Sequence, residues 1–222
     1  MENYKNIPAG LKDMKQWVCF KLEPNEKKGK PDKIPYDPRS GYRAKANDPA
    51  TWCDYQTAVS AVQRGAYDGI GFEFANGVFG VDLDHVIKDG KLAPEAQDII
   101  STLDSYTEYS PSGTGAHILC KGTIPAKDRR NGSVEMYADG RFFTVTGKLL
   151  GQPKELTERT AQAAAVHAKY LARREQQQTT QQPRQDLNMS DSELIGMACN
   201  GANGARFKAL WNGDTSAYGG DH

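Results

Sequence analysis

Residues 78–85 read VFGVDLDH. Val78, Phe79, Val81 and Leu83 suit a buried strand, yet Asp82 and Asp84 stand one residue apart at its end. Side chains of a strand alternate between its faces, so Val81 and Leu83 point into a core while Asp82 and Asp84 share the other side. Two like charges so close repel each other. A divalent cation between them relieves the repulsion, and carboxylate oxygens are natural ligands of Mg²⁺ and Mn²⁺. A strand that simply ends in water, with both carboxylates solvated, carries the same pattern.

Outward from this stretch, β-rich runs alternate with Gly/Pro turns. Strands are expected at 16–22, 69–74, 78–84, 106–109, 116–120, 133–137 and 142–146. The second and third of these are joined by Ala75, Asn76 and Gly77 in the manner of a hairpin, and Asp139-Gly140 makes a tight turn into RFFTVTG. Asp48, with Pro49 behind it, caps a helix that carries Trp52, Val59 and Val62 on one side. Further helices are expected at 94–103 and from Lys154 to about Arg174. Strands in the middle with flanking helices give an α+β layered domain.

The 222 residues hold one sizeable domain plus an appendage, and 38% hydrophobic residues supply a core. Lys plus Arg and Asp plus Glu balance at 28 each, so net charge neither demands nor excludes a polyanionic partner. Cys19, Cys53, Cys120 and Cys199 are scattered without metal-ligand spacing and read as reduced thiols of a cytoplasmic protein. MENYKNIPAG lacks the pattern of a signal peptide, and no run of 18 apolar residues exists, so no membrane partner is expected. The composition divides the chain into a domain over 1–150, a helix over 151–175, a Gln-rich linker over 176–186 and a helical segment over 187–222. In the last of these, Ser190 and Glu193 form a helix-start signal.

Two more stretches carry chemistry. SPSGTGAHI (110–118) sets a Ser/Gly turn before a strand that opens with His117. Gly113 and Gly115 admit a close ligand, and the amides together with Ser112 and Thr114 offer an anion nest. A plain flexible turn would look the same. In GSVEMYADGRFFTVTG (132–147), Glu135 lies in an apolar strand with Tyr137 on its face, and Arg141 follows the turn. Carboxylates on two strands, a phosphate-type nest, a histidine and an arginine together are the parts of metal-assisted phosphoryl or nucleotidyl transfer.

In order, DLDH, SPSGTGAH and VEMYADGRFFTVTG resemble the three motifs of the primase–polymerase (prim-pol) domains of the archaeo-eukaryotic primase superfamily, as found at the N-terminus of phage and plasmid replication proteins. KIPYDPRSG (33–41), NDPATW (47–52) and DGIGFEF (68–74) extend the resemblance over roughly residues 7–150. SDSELI through RFKALWNGD looks like the opening of the helical domain that follows, so an N-terminal piece of a larger protein is expected. The resemblance implies an RRM-like mixed or antiparallel catalytic sheet preceded by an αβ unit. It makes Asp82, Asp84 and Glu135 ligands of two Mg²⁺ or Mn²⁺ ions, with Asp139 in reserve because the third carboxylate is often Asp. His117, with Ser112 and Gly113, would meet the triphosphate of an NTP or dNTP; Arg141 would neutralise phosphate charge, and Lys33 and Arg39 join the nucleotide set. The implied activity is DNA primase or DNA polymerase chemistry on a single-stranded DNA template.

For that template, residues 21–45 carry eight Lys/Arg against four Asp/Glu, with Tyr36 and Tyr42 interleaved, as a single-strand groove requires. A solvated loop has the same composition. A metal-dependent nuclease or phosphodiesterase would use the same carboxylates but does not need SGTGAH and Arg141; a catalytically inert single-stranded-DNA-binding module would not need the carboxylates. No two histidines flank one apolar residue, against an HUH nuclease. GRFFTVTGKL is no P-loop, so any helicase partner region is expected beyond residue 222.

Overall fold

A computed structural model describes residues 2–127, 129–172 and 189–215. It divides into two compact units, Met1–Arg173 and Arg174–His222. In the first, short helical turns and α1 (Ala9–Lys12) lead into β1 (Trp17–Glu23) and β2 (Asp32–Tyr36), followed by α2 (Tyr55–Gln63), β3 (Gly69–Glu73) and β4 (Val78–Leu83). The small ribbon β5 (Ile87–Lys88) and β6 (Lys91–Leu92) precedes α3 (Pro94–Leu103). Then come β7 (Tyr106–Tyr109), β8 (Ala116–Lys121), β9 (Arg130–Asn131), β10 (Val134–Tyr137), β11 (Phe142–Val145) and α4 (Thr160–Val166), which runs on into a π-helical turn, His167–Leu171.

Among the described residues the strands form two main antiparallel sheets, in the orders β11-β3-β1-β2 and β7-β8-β4-β10-β9. The alternation expected of VFGVDL holds. Phe79, Val81 and Leu83 enter an apolar core with Ile118, Met136, Ile99 and Leu103 of α3, and Val166 of α4. Val78 faces a second core with Phe72, Phe74, Leu119 and Phe143. Each fully buried aliphatic or aromatic side chain in these cores stabilises the fold by about 1.5–3 kcal/mol.

The α+β class is as expected. In the second sheet β4 and β8 lie in the middle, β7 and β10 flank them, and α3 links β4 to β7 as a split βαβ unit does, the RRM-like pattern. Its second helix comes from elsewhere: α4 packs beside α3 from behind β11 and not from between β8 and β10. The leading αβ unit supplies β1 to β3 with α1 and α2, and β11, from beyond the second sheet, completes its four-stranded sheet.

Local expectations fail at four points. The two turns that read as hairpins, 75–77 and 139–140, connect strands of different sheets, since β3 pairs with β1 and β11, and β10 with β4 and β9. Glycine explains the first. The rings of Phe74 and Phe143 sit over Gly80, where an added Cβ would lie 2.7 Å from Phe143, so the sheets stack there instead of joining edge to edge. Asp48 caps only a 3-10 turn, Pro49–Thr51. Asp54 caps α2, which buries Tyr55, Ala58 and Ala61 while Val59 and Val62 are only partly covered. Helix α4 begins at Thr160, not near Lys154, because the preceding residues run beside β8: Lys121 N donates to Thr157 O, and Arg159 N to Lys121 O.

The second unit holds α5 (Asp191–Asn200) and α6 (Gly204–Trp211). Ser190 and Glu193 form the expected capping box, and Phe207 stacks on Trp211. Of the segments expected after residue 150, the 176–186 linker lies outside the described residues.

Candidate functional site

Strand register builds the site. Across the second sheet Glu108 of β7 stands opposite His117 of β8, His117 opposite Asp82 of β4, Asp82 opposite Glu135 of β10, and Glu135 opposite Arg130 of β9. Directly opposed residues of an antiparallel ladder share a face. The result is a charged row, Glu108–His117–Asp82–Glu135–Arg130, on the face turned away from α3 and α4. No apolar packing explains such a row on four adjoining strands and a fifth at the edge.

The row meets a cleft of about 550 Å³ between the sheets, lined by Lys30 to Lys33, Ala46, Asp82, His117 and Gly140 to Thr144. The two cross-sheet connections create it, because β11 leaves β10 to pair with β3 and carries Thr144 to the histidine. His117 Nδ1 lies 3.0 Å from the Thr144 carbonyl oxygen, an acceptor, so Nδ1 carries a proton and donates it. Nε2 then faces Asp82 Oδ1 at 3.6 Å, within ion-pair range but too far for a hydrogen bond.

Asp82 Oδ1 is buried and has no hydrogen-bond partner. Burial, first of all, raises the Asp82 pKa; His117 and Lys33 oppose the shift, while Asp84 and Glu135 add to it. Lys33 is exposed along its stem, but its ammonium reaches the cleft wall, 3.4 Å from Thr144 Oγ1. Desolvation of that tip lowers its pKa against the pull of Asp82 and Asp84. Glu135, 5% exposed, accepts from Tyr137 Oη at 2.5 Å and pairs with Arg130 Nε at 2.8 Å. Arg141 lies over the Tyr137 ring, its Nη2 3.9 Å from Glu135.

Of the residues singled out in the sequence, Asp82, His117, Lys33 and Arg141 line one cleft, and Glu135 adjoins them through the ladder. Asp84 falls just past β4, exposed, its amide bonded to Ser133 O. Asp139 is held in its turn by a two-pronged contact with Arg129. Three nucleotide candidates stand off the cleft wall. Gly113 N donates to Ser110 O, and the Ser112 hydroxyl contacts those of Ser110 and Thr114, so the Ser/Gly turn satisfies itself. Arg39 grips Asp37 with both prongs and donates to the Ala50 carbonyl, pinning its own loop.

Sequence reasoning missed Glu108, Arg130 and the Thr144 carbonyl. Glu108 had a signal: a carboxylate inside the short strand YTEY, on the same side as Tyr106, just before the turn. The Thr144 carbonyl, a backbone group, had none.

The donor set suits a hard divalent cation. Asp82 offers a buried oxygen with no hydrogen-bond partner, Asp84 follows two residues on, and Glu135 stands directly across the ladder. Both Glu135 oxygens are engaged by Arg130 and Tyr137, however, and among the described residues no group of three or more His, Cys, Asp or Glu forms a ready-made cage. Arg130 and Tyr137 therefore compete with an ion for Glu135.

No protein-family model matches the chain. A curated relative does: over 165 residues the chain is 33% identical to the DNA Primase-polymerase of Nitratiruptor phage NrS-1. The alignment takes in 68% of this chain and 22% of that protein, so the chain spans under a quarter of the relative's length. The chain carries a prim-pol domain.

Proposed function

We propose that the cleft between the two sheets performs template-directed nucleotidyl transfer, DNA primase or DNA polymerase chemistry, with an NTP or dNTP as donor and single-stranded DNA as template. One observation carries this reading: Asp82, with its unpartnered buried oxygen, lies in register between His117 and Glu135 beneath a cleft whose mouth holds Lys33 and Arg141. The likeness to a phage DNA Primase-polymerase supports it.

Asp82, Asp84 and Glu135 are the residues that would hold Mg²⁺ or Mn²⁺, which when bound supplies activation of a 3′-hydroxyl and neutralisation of the leaving pyrophosphate. The remaining work falls to the chain. Lys33 of β2 and Arg141, just ahead of β11, offset triphosphate charge from the two edges of the first sheet, and Arg141, braced on Tyr137, keeps its guanidinium in place. His117 presents Nε2 to the cleft. Phe142 and Phe143 supply an apolar wall that excludes water and strengthens these electrostatic contacts. For the template, Lys21 lies over the rings of Tyr36 and Tyr67, and Tyr42 is exposed, a surface of flat rings beside cations. Lys28 and Arg43 there pair with Asp32 and Glu23; such exposed pairs are weak, and a phosphate can displace them.

Titration of a labelled dNTP and of labelled single-stranded DNA against wild type and His117→Ala tests the assignment. The nucleotide dissociation constant should rise about tenfold or more, as loss of a charge-assisted contact implies, with DNA affinity little changed. Equal losses in both would show that His117 serves the fold instead of the nucleotide.

A further inference from the structure

Glu108 is fully buried, outside every motif considered so far, and heavily engaged. Its Oε1 accepts from Thr146 N at 2.9 Å, and its Oε2 accepts from Gly147 N at 2.8 Å and Tyr106 Oη at 2.6 Å. A carboxylate sealed from water at a sheet edge is expensive unless such donors surround it. An apolar residue would fill the place at less cost, so the charge calls for an explanation. It lies one strand from His117 in register, with Oε1 3.6 Å from Nδ1.

We propose that Glu108 is a positioning residue for His117: its carboxylate fixes the ring with Nδ1 protonated and Nε2 turned to the cleft. It does so in two ways. Directly, its negative charge beside Nδ1 favours a proton on that nitrogen over the alternative tautomer. Indirectly, by holding the amides of Thr146 and Gly147 it anchors the end of β11, and β11 carries the Thr144 carbonyl that accepts from Nδ1. Carboxylates that orient metal-bound histidines act by the same chemistry; here, granted the nucleotidyl-transfer reading above, the Nδ1 proton stays on the Thr144 carbonyl, and Nε2, when it carries a proton too, donates to a nucleotide phosphate.

Two measurements test this independently. The ¹⁵N shifts of the His117 ring in the wild-type protein, without nucleotide or metal, report which nitrogen holds the proton. Nδ1 should be protonated in a single ring state, and Glu108→Gln should turn that into a mixture of tautomers. A wild-type ring protonated only at Nε2 would overturn the proposal whether or not the variant folds. The second is a double-mutant cycle on dNTP affinity. Glu108→Gln should weaken binding about tenfold in the wild-type background but less than about twofold when His117 is already Ala, because its effect passes through the ring. An equal loss in both backgrounds would reduce Glu108 to a structural anchor. If the wild-type chain binds no dNTP, the nucleotidyl-transfer reading falls, and the ring shifts still decide the positioning role.

Discussion

Glu73 at the end of β3 should make stability depend on pH in a way that one substitution removes. It is fully buried, and neither carboxylate oxygen has a hydrogen-bond partner. Burial alone pushes its pKa from 4.5 up to about 7. The raised value means that the folded protein keeps the proton longer than the unfolded chain. The stability associated with the neutral group is complete below pH 4.5, declines as pH rises toward 7, and is lost above that. The loss levels off at 2.5 pH units times 1.36 kcal/mol, about 3 kcal/mol. In Glu73→Gln this dependence vanishes, while the cost of an unpaired buried amide, about 1–3 kcal/mol, is the same at every pH. Urea unfolding of both proteins, followed by tryptophan fluorescence at pH 4 and pH 8.5, isolates the effect, since every other group cancels in the difference. The variant should gain about 3 kcal/mol on the wild type between the two conditions. A difference that stays flat would show that Glu73 is already ionised near its usual pKa, contrary to the burial argument.

Two further substitutions probe the cleft. Gly80→Ala sets a methyl against the Phe74 and Phe143 rings, 2.7 Å from the latter, and overpacking of that kind costs about 1–3 kcal/mol. Its thermal midpoint should therefore drop by several degrees; an unchanged midpoint would mean that the two sheets do not stack at this glycine. Arg130→Ala frees one oxygen of Glu135, and calorimetric titration should show tighter Mn²⁺ binding than in wild type. Weaker or equal binding would take Glu135 out of the ligand set.

The alternating pattern of VFGVDL and VEMY made β4 and β10 legible, and with them the face of its own strand that Asp82 and Glu135 each take. Tyr106–Tyr109 and Pro94–Leu103 fall where local pattern puts them, because each is a short element with an unambiguous period and clear breakers. Pairing was not legible. Whether β3 joins β4 or stacks over it depends on Phe74 finding Gly80 in another layer, a non-local fit that turn residues do not encode. The same gap hid Glu108, whose importance comes from facing His117. Arg39, expected among the nucleotide residues, pairs with Asp37 two residues away. Ser112 and Gly113 have the composition of an anion nest, but hydroxyls so close in sequence bond to one another first.

Extension of a primer on single-stranded DNA by the purified protein, with Mg²⁺ or Mn²⁺ and labelled NTPs or dNTPs, bears most directly on the central claim, that the Asp82 row is a nucleotidyl-transfer site. Asp82→Ala with Asp84→Ala and an unprimed template complete the set, with products resolved by length. A ladder in the wild type that disappears in the double variant, while its circular dichroism is unchanged, is the predicted result. A ladder that persists in the variant, or DNA that is shortened instead of extended, would contradict the assignment.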